Sequence, residues 1–316
     1  EKGLEFLDTP RPFEETGGAL AVTKDGNLIA GVVGNFIHPP FEAAIWKERV
    51  FELLPSSQRW STVGNIFGPV HQRPMTSDGK VIVGASGEKF ETMQATSWVS
   101  GAERPLDAGP AVSSSAVFVT DGGVIFGTGT LPDGRIVLMR WDSSGNLEIF
   151  EPPNGLSVVD LSCANGPGTA AGGSLAMRAS CIGSGDPDCD RAPFFWTRGP
   201  SAPRNGVFNI LPENGHEHFF TYSSVTDISD DARIVTGSLI AGVRTDGDPP
   251  DVGFLWRKDT GMVIVNDLMP EPKPDYYRAD RLSRAGNRVL VTGDPPQATD
   301  ITTKSLILDL IWPTDH

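Results

Sequence analysis

A short stretch that recurs along the chain constrains the fold more than any other feature. Its first copy, residues 23–31, reads Thr-Lys-Asp-Gly-Asn-Leu-Ile-Ala-Gly, and further copies start at Thr76 and Thr120. Each copy is a polar turn, a short apolar run and a glycine, and a tryptophan follows each one. A polar turn between short apolar runs predicts a β-hairpin rather than a helix.

Tryptophans give the repeat its period. Six apolar segments end in a tryptophan, namely Trp46, Trp98, Trp141, Trp196, Trp256 and Trp312. A spacing of roughly 50 residues is typical of propeller blades with four strands, whereas helical solenoids need helical periodicity. The 36 glycines and 26 prolines also favour short strands and turns. We therefore predict an all-β chain, a six-bladed β-propeller of four-stranded antiparallel blades.

Each predicted blade contains strand a before the polar turn, strand b after it, strand c ending in tryptophan, and strand d. A single domain is predicted, with blades at approximately 18–54, 70–107, 112–151, 158–211, 222–266 and 279–312. The chain ends soon after Trp312, so residues 3–8 are predicted to complete the last blade and close the ring. An open β-solenoid of the same repeats is the alternative.

The repeat resembles the bacterial extracellular HAF repeat. The stretches that carry the resemblance are the turn with its following apolar run and glycine, Val265-Asn266-Asp267-Leu268-Met269, and Leu282-Ser283-Arg284-Ala285-Gly286-Asn287. Where that family has His-Ala-Phe before strand c, this chain has Glu42-Ala43-Ala44. The resemblance covers nearly the whole chain, and it implies an exported propeller without implying an activity.

Charge and composition exclude some classes of partner. The formal net charge is −14, and no cluster of Lys and Arg offsets it, so a nucleic-acid partner is not expected. A neutral or cationic ligand suits this charge better. No apolar run reaches the roughly 18 residues of a membrane span. The chain starts at Glu1, as a mature exported form or a trimmed chain would, and we predict a secreted or periplasmic monomer.

Three cysteines bear on the redox compartment. Cys181 and Cys189 flank a turn-rich segment, so they are predicted to pair in a disulfide, with Cys163 as a buried free thiol. A metal site built from these cysteines is the alternative, but the chain has no Cys-x-x-Cys spacing.

Most candidate site residues are predicted in the b–c loops and d–a connections, opposite the a–b turns. They are His38, His71, His216, His218, Tyr222, Tyr276, Tyr277 and Trp60. Loops on a rigid scaffold commonly carry function, which places a ligand site on this face at the mouth of the central channel. The alternative is that polar aromatic residues simply avoid a sheet core.

A second candidate set lies in the predicted a strands. Aligning these strands on their turns brings Arg73, Asp160 and Asp280 to one position in alternate blades. Two carboxylates and a guanidinium that converge near the channel can clamp a polar ligand. A structural ring of ion pairs is the alternative, and binding by an Arg73→Leu variant separates the two.

Metal chemistry has weaker support. His216 and His218 alternate on an extended segment, as zinc ligands can, and acidic loops at residues 186–188 and 246–251 contain potential Ca²⁺ ligands. None of these matches a complete metal motif, so we predict no cofactor, with Ca²⁺ or Zn²⁺ as alternatives.

Three functions follow from these residues. The first is binding of a glycan or small molecule by Trp60, Asp160, Tyr276, Tyr277 and Asp280. The second is a lyase, isomerase or cyclase with acid/base catalysis by His71, Arg73, His218 and Tyr222. The third is a cell-surface scaffold for protein interactions. A funnel of His, Tyr and Arg favours the enzyme, whereas a shallow aromatic surface favours binding.

Overall fold

A computed structural model describes the chain at residues 7, 17–34, 40–64, 73–176, 191–198, 206–211, 220–241, 252–268, 275–294 and 304–310. Across these residues the protein is all-β, with short 3-10 turns at Phe90–Thr92, Pro153–Gly155 and Val265–Leu268 and no α-helix. The predicted all-β class is confirmed. The chain divides into two compact units, Glu1–Ile149 and Phe150–His316.

The first unit contains three antiparallel sheets whose strands are in sequence order. Sheet 1 has β1 (Gly17–Val22), β2 (Leu28–Gly34), β3 (Phe41–Lys47) and β4 (Val50–Leu53). Sheet 2 has β5 (Trp60–Val63), β6 (Val81–Gly87), β7 (Gln94–Val99) and β8 (Ala102–Pro105). Sheet 3 has β9 (Ser113–Val119), β10 (Ile125–Thr130), β11 (Ile136–Trp141) and β12 (Leu147–Phe150), whose last residue begins the second unit.

The second unit contains three more antiparallel sheets. Sheet 4 has β13 (Ser157–Ala164), β14 (Ala170–Ala176), β15 (Arg191–Thr197) and β16 (Val207–Ile210). Sheet 5 has β17 (Phe220–Ile228), β18 (Ile234–Ala241), β19 (Val252–Arg257) and β20 (Gly261–Ile264). Sheet 6 has β21 (Asp275–Leu282), β22 (Arg288–Asp294) and β23 (Lys304–Asp309).

Sheet 6 has three strands in the described part of the chain, so the predicted closure of the ring by an N-terminal strand is not seen there. Of residues 3–8, Leu7 alone belongs to the described part. The blade count and the single domain stay predictions.

The predicted position of the sixth tryptophan is wrong. In sheets 1 and 2, Trp46 and Trp98 lie opposite the second residue of the neighbouring strand b. The same position in sheet 6 belongs to Leu308, opposite Val289, and β23 ends at Asp309. Because Leu308 is also large and apolar, it packs against the core where the other sheets use an indole ring. Trp312 lies outside the described residues.

Strand c tryptophans join neighbouring sheets in the first unit. The Trp98 indole Nε1 of sheet 2 donates a hydrogen bond to the Pro55 carbonyl just beyond sheet 1, at 2.8 Å. Trp141 of sheet 3 donates to the Asp107 carbonyl just beyond sheet 2, also at 2.8 Å. A leucine just after strand d belongs to or packs against the same apolar cluster as each ring, Leu54 with Trp98 and Leu106 with Trp141.

Leu7 occupies a similar environment at the start of the chain. It packs against the cluster of Val33, Ala44 and Trp46, as Leu54 belongs to the cluster that contains Trp98. Leu7 therefore packs against a cluster that contains a strand c tryptophan, as the leucines just after the d strands of sheets 1 and 2 do.

A β-bulge explains the glycine of the repeat. Strands β1, β9, β13, β17 and β21 each have a register shift three residues before the polar turn residue. The bulge brings a strand a carbonyl over the strand b glycine, so that a Cβ at Gly31, Gly84 or Gly127 would overlap that carbonyl oxygen. The repeat therefore needs glycine for close backbone approach.

In strand a of sheet 2, the position of the bulge is occupied by more residues than in the other a strands. The Gly64 amide donates to the Val83 carbonyl, and the Val83 amide donates to the Pro74 carbonyl, so both halves of strand a pair with one residue of β6. Residues 65–72 lie between the halves in sequence and outside the described part. The predicted start of this blade at residue 70 is therefore wrong, because strand a begins at Trp60.

Candidate functional site

The a–b turns use their polar side chains locally. Thr76 Oγ1 accepts a hydrogen bond from the Val81 amide at 3.1 Å and donates to Asp78 at 2.9 Å. Thr23 makes the same bonds to Leu28 and Asp25. The hydrogen bond from the Lys80 side chain is the largest of the effects that lower the pKa of Asp78 to about 2. These groups stabilise the turn itself.

Neighbouring turns within a unit are also joined to each other. In the first unit the Lys24 amide donates to the Ser77 carbonyl, and the Ser77 amide donates to Asp121 Oδ1 at 2.8 Å. In the second unit the Asp230 amide donates to the Arg284 carbonyl. The turn edge of each unit is therefore a connected hydrogen-bond network.

Arg73 belongs to the turn edge of the first unit. Its guanidinium Nη2 lies 3.0 Å from both carboxylate oxygens of Asp121 and 3.4 Å from Ser77 Oγ. Burial raises the pKa of Asp121, but hydrogen bonds from Ser77 and the charge of Arg73 outweigh burial, so the net shift is downward. Arg73 thus links the a–b turns of sheets 2 and 3.

Asp160 is buried on strand a of sheet 4. Ser162 Oγ donates to its carboxylate at 2.8 Å, and the Ser174 hydroxyl and amide donate at 2.5 and 3.1 Å. Ser224 Oγ of sheet 5 is 3.3 Å from the same carboxylate. These bonds satisfy a buried carboxylate with neutral donors.

Asp280 is buried on strand a of sheet 6 and accepts a hydrogen bond from Thr292 Oγ1 at 2.5 Å. Asp280 stands three residues before its polar turn residue, Ser283, and Arg73 stands three residues before Thr76. Asp160 stands five residues before its own turn residue, Asn165. The predicted alignment of the three charges is therefore wrong, since the degenerate turn of sheet 4 obscured its first position.

The opposite, b–c edge of sheets 1 and 2 carries an aromatic cluster. Phe41 is the first residue of β3, Trp60 is the first residue of β5, and Phe90 begins the 3-10 turn between β6 and β7. The Trp60 ring centroid lies 5.9 Å from that of Phe41 and 6.1 Å from that of Phe90, both pairs tilted. Phe41 is buried, Trp60 is partly exposed, and Phe90 is 38% exposed. We call these three residues the aromatic surface.

Neighbouring bonds hold the aromatic surface in place. Ser61 Oγ, beside Trp60, accepts a hydrogen bond from the Ala43 amide of β3 at 3.0 Å. The segment that follows Phe90 is fixed to sheet 3, because the Ser114 amide donates to the Met93 carbonyl and Gln94 Nε2 donates to the Val112 carbonyl. The rings are therefore carried by backbone that is tied to the sheets on both sides.

Several predicted residues are in strands rather than in connections. Trp60 begins β5, Tyr222 is in β17, and Tyr276 and Tyr277 are in β21. Their placement in d–a connections is wrong because strand a starts earlier than its turn-based alignment indicated, and aromatic residues are good strand formers. The side chains of these three tyrosines lie outside the described part.

Other predicted residues lie wholly outside it. These are His38, His71, His216, His218, Cys181, Cys189 and the acidic loops at 186–188 and 246–251. Cys163 is a buried free thiol, and burial raises its pKa well above the ordinary value. Across the described residues, no group of three or more His, Cys, Asp and Glu side chains could hold a metal ion.

Phe41 and Phe90 are members of the aromatic surface that the sequence argument missed. Phe90 sits in a polar stretch, Gly-Glu-Lys-Phe-Glu-Thr, where an isolated large apolar residue is the signal that could have identified it. Phe41 follows two prolines and resembles an ordinary first residue of a core strand. Their proximity to Trp60 depends on the pairing of sheets, which no local pattern indicates.

Comparisons with known proteins bear on the fold. No protein-family model and no curated protein matches the chain. The β-propeller domain of the Trilobed protease from Pyrococcus furiosus, which has an open velcro topology, is similar with a TM-score of 0.52 at 11% identity, over 93% of this chain and 82% of that one. A prolyl endopeptidase, from a structural and mechanistic analysis of two such enzymes, is similar with a TM-score of 0.55 at 13% identity, over 96% of this chain.

Other likenesses are weaker or partial. TolB from Acinetobacter baumannii has a TM-score of 0.42 at 18% identity, over 84% of this chain. This chain spans 60% of that TolB and 41% of the prolyl endopeptidase. At these identities the likeness shows the fold alone. The likeness to the propeller domain of the Trilobed protease, together with the six antiparallel sheets, indicates a β-propeller fold.

In the part of the chain that the structure describes, no helix has the length and apolar character needed to cross a bilayer.

Proposed function

We propose that this β-propeller protein binds a ring-containing ligand, a glycan or a small molecule, on the aromatic surface of Phe41, Trp60 and Phe90. The observation that carries the proposal is the exposure of Phe90 and Trp60 side by side at the b–c edge. Aromatic faces stack on the apolar faces of sugar and heterocyclic rings, and each aromatic pair contributes about 0.5–1.5 kcal/mol beyond its buried area.

Contacts within the protein hold the rings of the aromatic surface in place. Phe41 buttresses Trp60 from sheet 1, and the 3-10 turn places Phe90 on the other side. Hydrogen bonds from Ala43 to Ser61 and from Ser114 to Met93 fix the backbone that carries these rings. Little ordering is then needed on binding, which favours affinity.

Charge narrows the ligand class. The net charge of −14 disfavours an anionic polymer, and Glu88 and Glu91 are exposed on either side of Phe90. A neutral glycan or a neutral or cationic small molecule is the ligand that suits this surface. The secreted or periplasmic location and the monomeric state implied by the sequence remain part of the proposal.

The acid/base enzyme has less support. Arg73, one of its four residues, is engaged with Asp121 and Ser77 at the turn edge, whereas the aromatic surface lies at the b–c edge. Among the described residues, the three rings of the aromatic surface carry no titratable group, which suits recognition better than proton transfer.

Titration calorimetry with a panel of neutral oligosaccharides and aromatic amines tests the proposal. We expect a panel member to bind, and Trp60→Ala and Phe90→Ala each to weaken binding by about tenfold, equivalent to about 1.4 kcal/mol. Val22→Ala is the matched control, because Val22 is 61% exposed at the turn end of β1. Unchanged affinity in both aromatic variants, or no binding across the panel, would contradict the proposal.

A further inference from the structure

A 3-10 turn at Pro153–Gly155 joins β12 to β13 and contains an Asn-Gly pair. Asn154 has φ 57° and ψ 28°, in the left-handed region, and Gly155 follows with φ 72°. Both residues are exposed. A single backbone hydrogen bond closes the turn, from the Leu156 amide to the Pro153 carbonyl at 3.1 Å.

Among the described residues, the polar groups of this Asn-Gly pair are not held by hydrogen bonds. Within the described part of the chain, the Asn154 carboxamide and the Gly155 amide nitrogen make no hydrogen bond. Breaking one turn bond frees the backbone to rotate, and Gly155 has no Cβ to hinder approach to the Asn154 side chain. Opening of an exposed turn with so few bonds costs little free energy.

The same dipeptide at Asn165–Gly166 is an internal contrast. Asn165 is 1% exposed, and its Oδ1 accepts hydrogen bonds from the Thr169 and Ala170 amides, both at 2.9 Å. Its Nδ2 donates to the Asp230 carbonyl at 3.0 Å, and the Gly166 amide donates to Asp230 Oδ1 at 3.1 Å. Hydrogen bonds therefore hold both the Asn165 carboxamide and the Gly166 amide nitrogen in place.

We propose that Asn154 is a site of spontaneous deamidation and that Asn165 is protected from it. The Gly155 amide nitrogen loses its proton to solvent and attacks Asn154 Cγ. A C–N bond forms and the carboxamide nitrogen leaves as ammonia, which gives a succinimide. Water then opens either ring carbonyl, so the products are aspartate or isoaspartate at position 154.

Both products alter the turn. Each adds one negative charge to a chain whose net charge is already −14. Isoaspartate also inserts a methylene into the main chain between β12 and β13, where Leu156 and Pro153 now share the only bond of the turn. Aged protein should therefore separate into charge variants that differ at this turn.

Mass spectrometry of the full-length protein, incubated in mildly alkaline buffer made with ¹⁸O-water, tests the proposal. Fragment spectra assign label to individual asparagines, including Asn205 and Asn214, which also precede glycine. We expect label at position 154 to accumulate at least tenfold faster than at position 165 in the folded protein. In urea the two rates should converge, because the dipeptides are the same.

An Asn154→Gln variant is the control, since attack on glutamine needs a larger and slower-forming ring. It should lose the charge variants assigned to position 154 and leave Asn165 unaffected. Equal rates at positions 154 and 165 in the folded protein would overturn the proposal. So would an Asn154 that stays intact while the unfolded chain converts.

Discussion

Replacing Trp98 with phenylalanine tests how the first unit is joined across its sheets. Trp98 is fully buried, its Nε1 donates to the Pro55 carbonyl at 2.8 Å, and it shares a cluster with Leu54 and Met75. Phenylalanine keeps a ring but removes the N–H and two ring carbons. The change therefore separates the hydrogen bond and the ring edge from the bulk of the side chain.

The expected loss of unfolding free energy in Trp98→Phe follows from the surroundings of the groups that are removed. Loss of the hydrogen bond costs about 0.5–1.5 kcal/mol, and because Pro55 is exposed its carbonyl can accept from water instead of being orphaned. Two buried carbons contribute about 0.8 kcal/mol each, which gives a total of about 2–3 kcal/mol. Trp98→Ala should cost about 3–5 kcal/mol.

Urea unfolding measures the global effect, and amide hydrogen exchange localises it. Protection of the Leu54 amide, which donates to the Ala43 carbonyl, should fall more than protection of the Leu106 amide, which donates to Ala95. Trp60→Phe is the control, because Trp60 is only partly buried at the b–c edge and a ring of similar size should cost less than about 1.5 kcal/mol. Equal losses in the two variants would refute the reasoning that Trp98 secures this junction.

Two further predictions concern the repeat. Gly84→Ala places a Cβ on the Thr62 carbonyl and should destabilise the protein by more than about 2 kcal/mol. Gly18→Ala is the control, because its Cβ would meet open space, and it should change stability by under about 1 kcal/mol. Thermal unfolding compares the two variants, and similar effects would contradict the close approach of the two strands at the bulge. Arg73→Leu should lower stability at neutral pH by under about 1 kcal/mol, since both partners are more than a third exposed, and should leave oligosaccharide binding unchanged. The folded pKa of Asp121 is below its ordinary value of 3.8, so the carboxylate stabilises the fold above that pH and the stabilisation is lost as pH falls through 3.8 toward the folded pKa. As the pH falls through this acidic range, the urea midpoint of unfolding should fall less steeply in Arg73→Leu than in the parent protein. Loss of oligosaccharide binding in the variant would instead support a ligand clamp at Arg73.

Much of the fold could be predicted because its signals are local. The polar turn, the apolar run and the strand c tryptophan are each specified by a few adjacent residues, and the observed strands from Leu28–Gly34 to Phe41–Lys47 follow that pattern. The sixth sheet departs from it because Leu308 takes the position that an indole ring has in the other sheets, and a sequence pattern that relies on tryptophan selects Trp312 instead.

The candidate site was harder to predict because it depends on pairing between distant segments. The turn of sheet 4 lacks the Asp-Gly pair of the repeat, so the sequence does not mark its first position, and the predicted register of Asp160 relative to Asp280 is two residues wrong. The position of Trp60 outside the tryptophan series marks it as a ligand-binding candidate. Its neighbours Phe41 and Phe90 come from other strands and turns, 19 and 30 residues away in the numbering, and only the packed sheets bring the three rings together.

Strand a of sheet 2 keeps its hydrogen bonds to β6 on both sides of its interruption. Val83 pairs through its carbonyl with Gly64 and through its amide with Pro74, so the ladder continues on both sides of the eight residues at 65–72. Extra chain at this point costs no ladder hydrogen bond, and closure of a longer loop adds only about 0.6 kcal/mol for each doubling of its length. The bulges of β1, β9, β13, β17 and β21 stand at the same register, so we expect these positions also to accept inserted peptides at a small cost in stability.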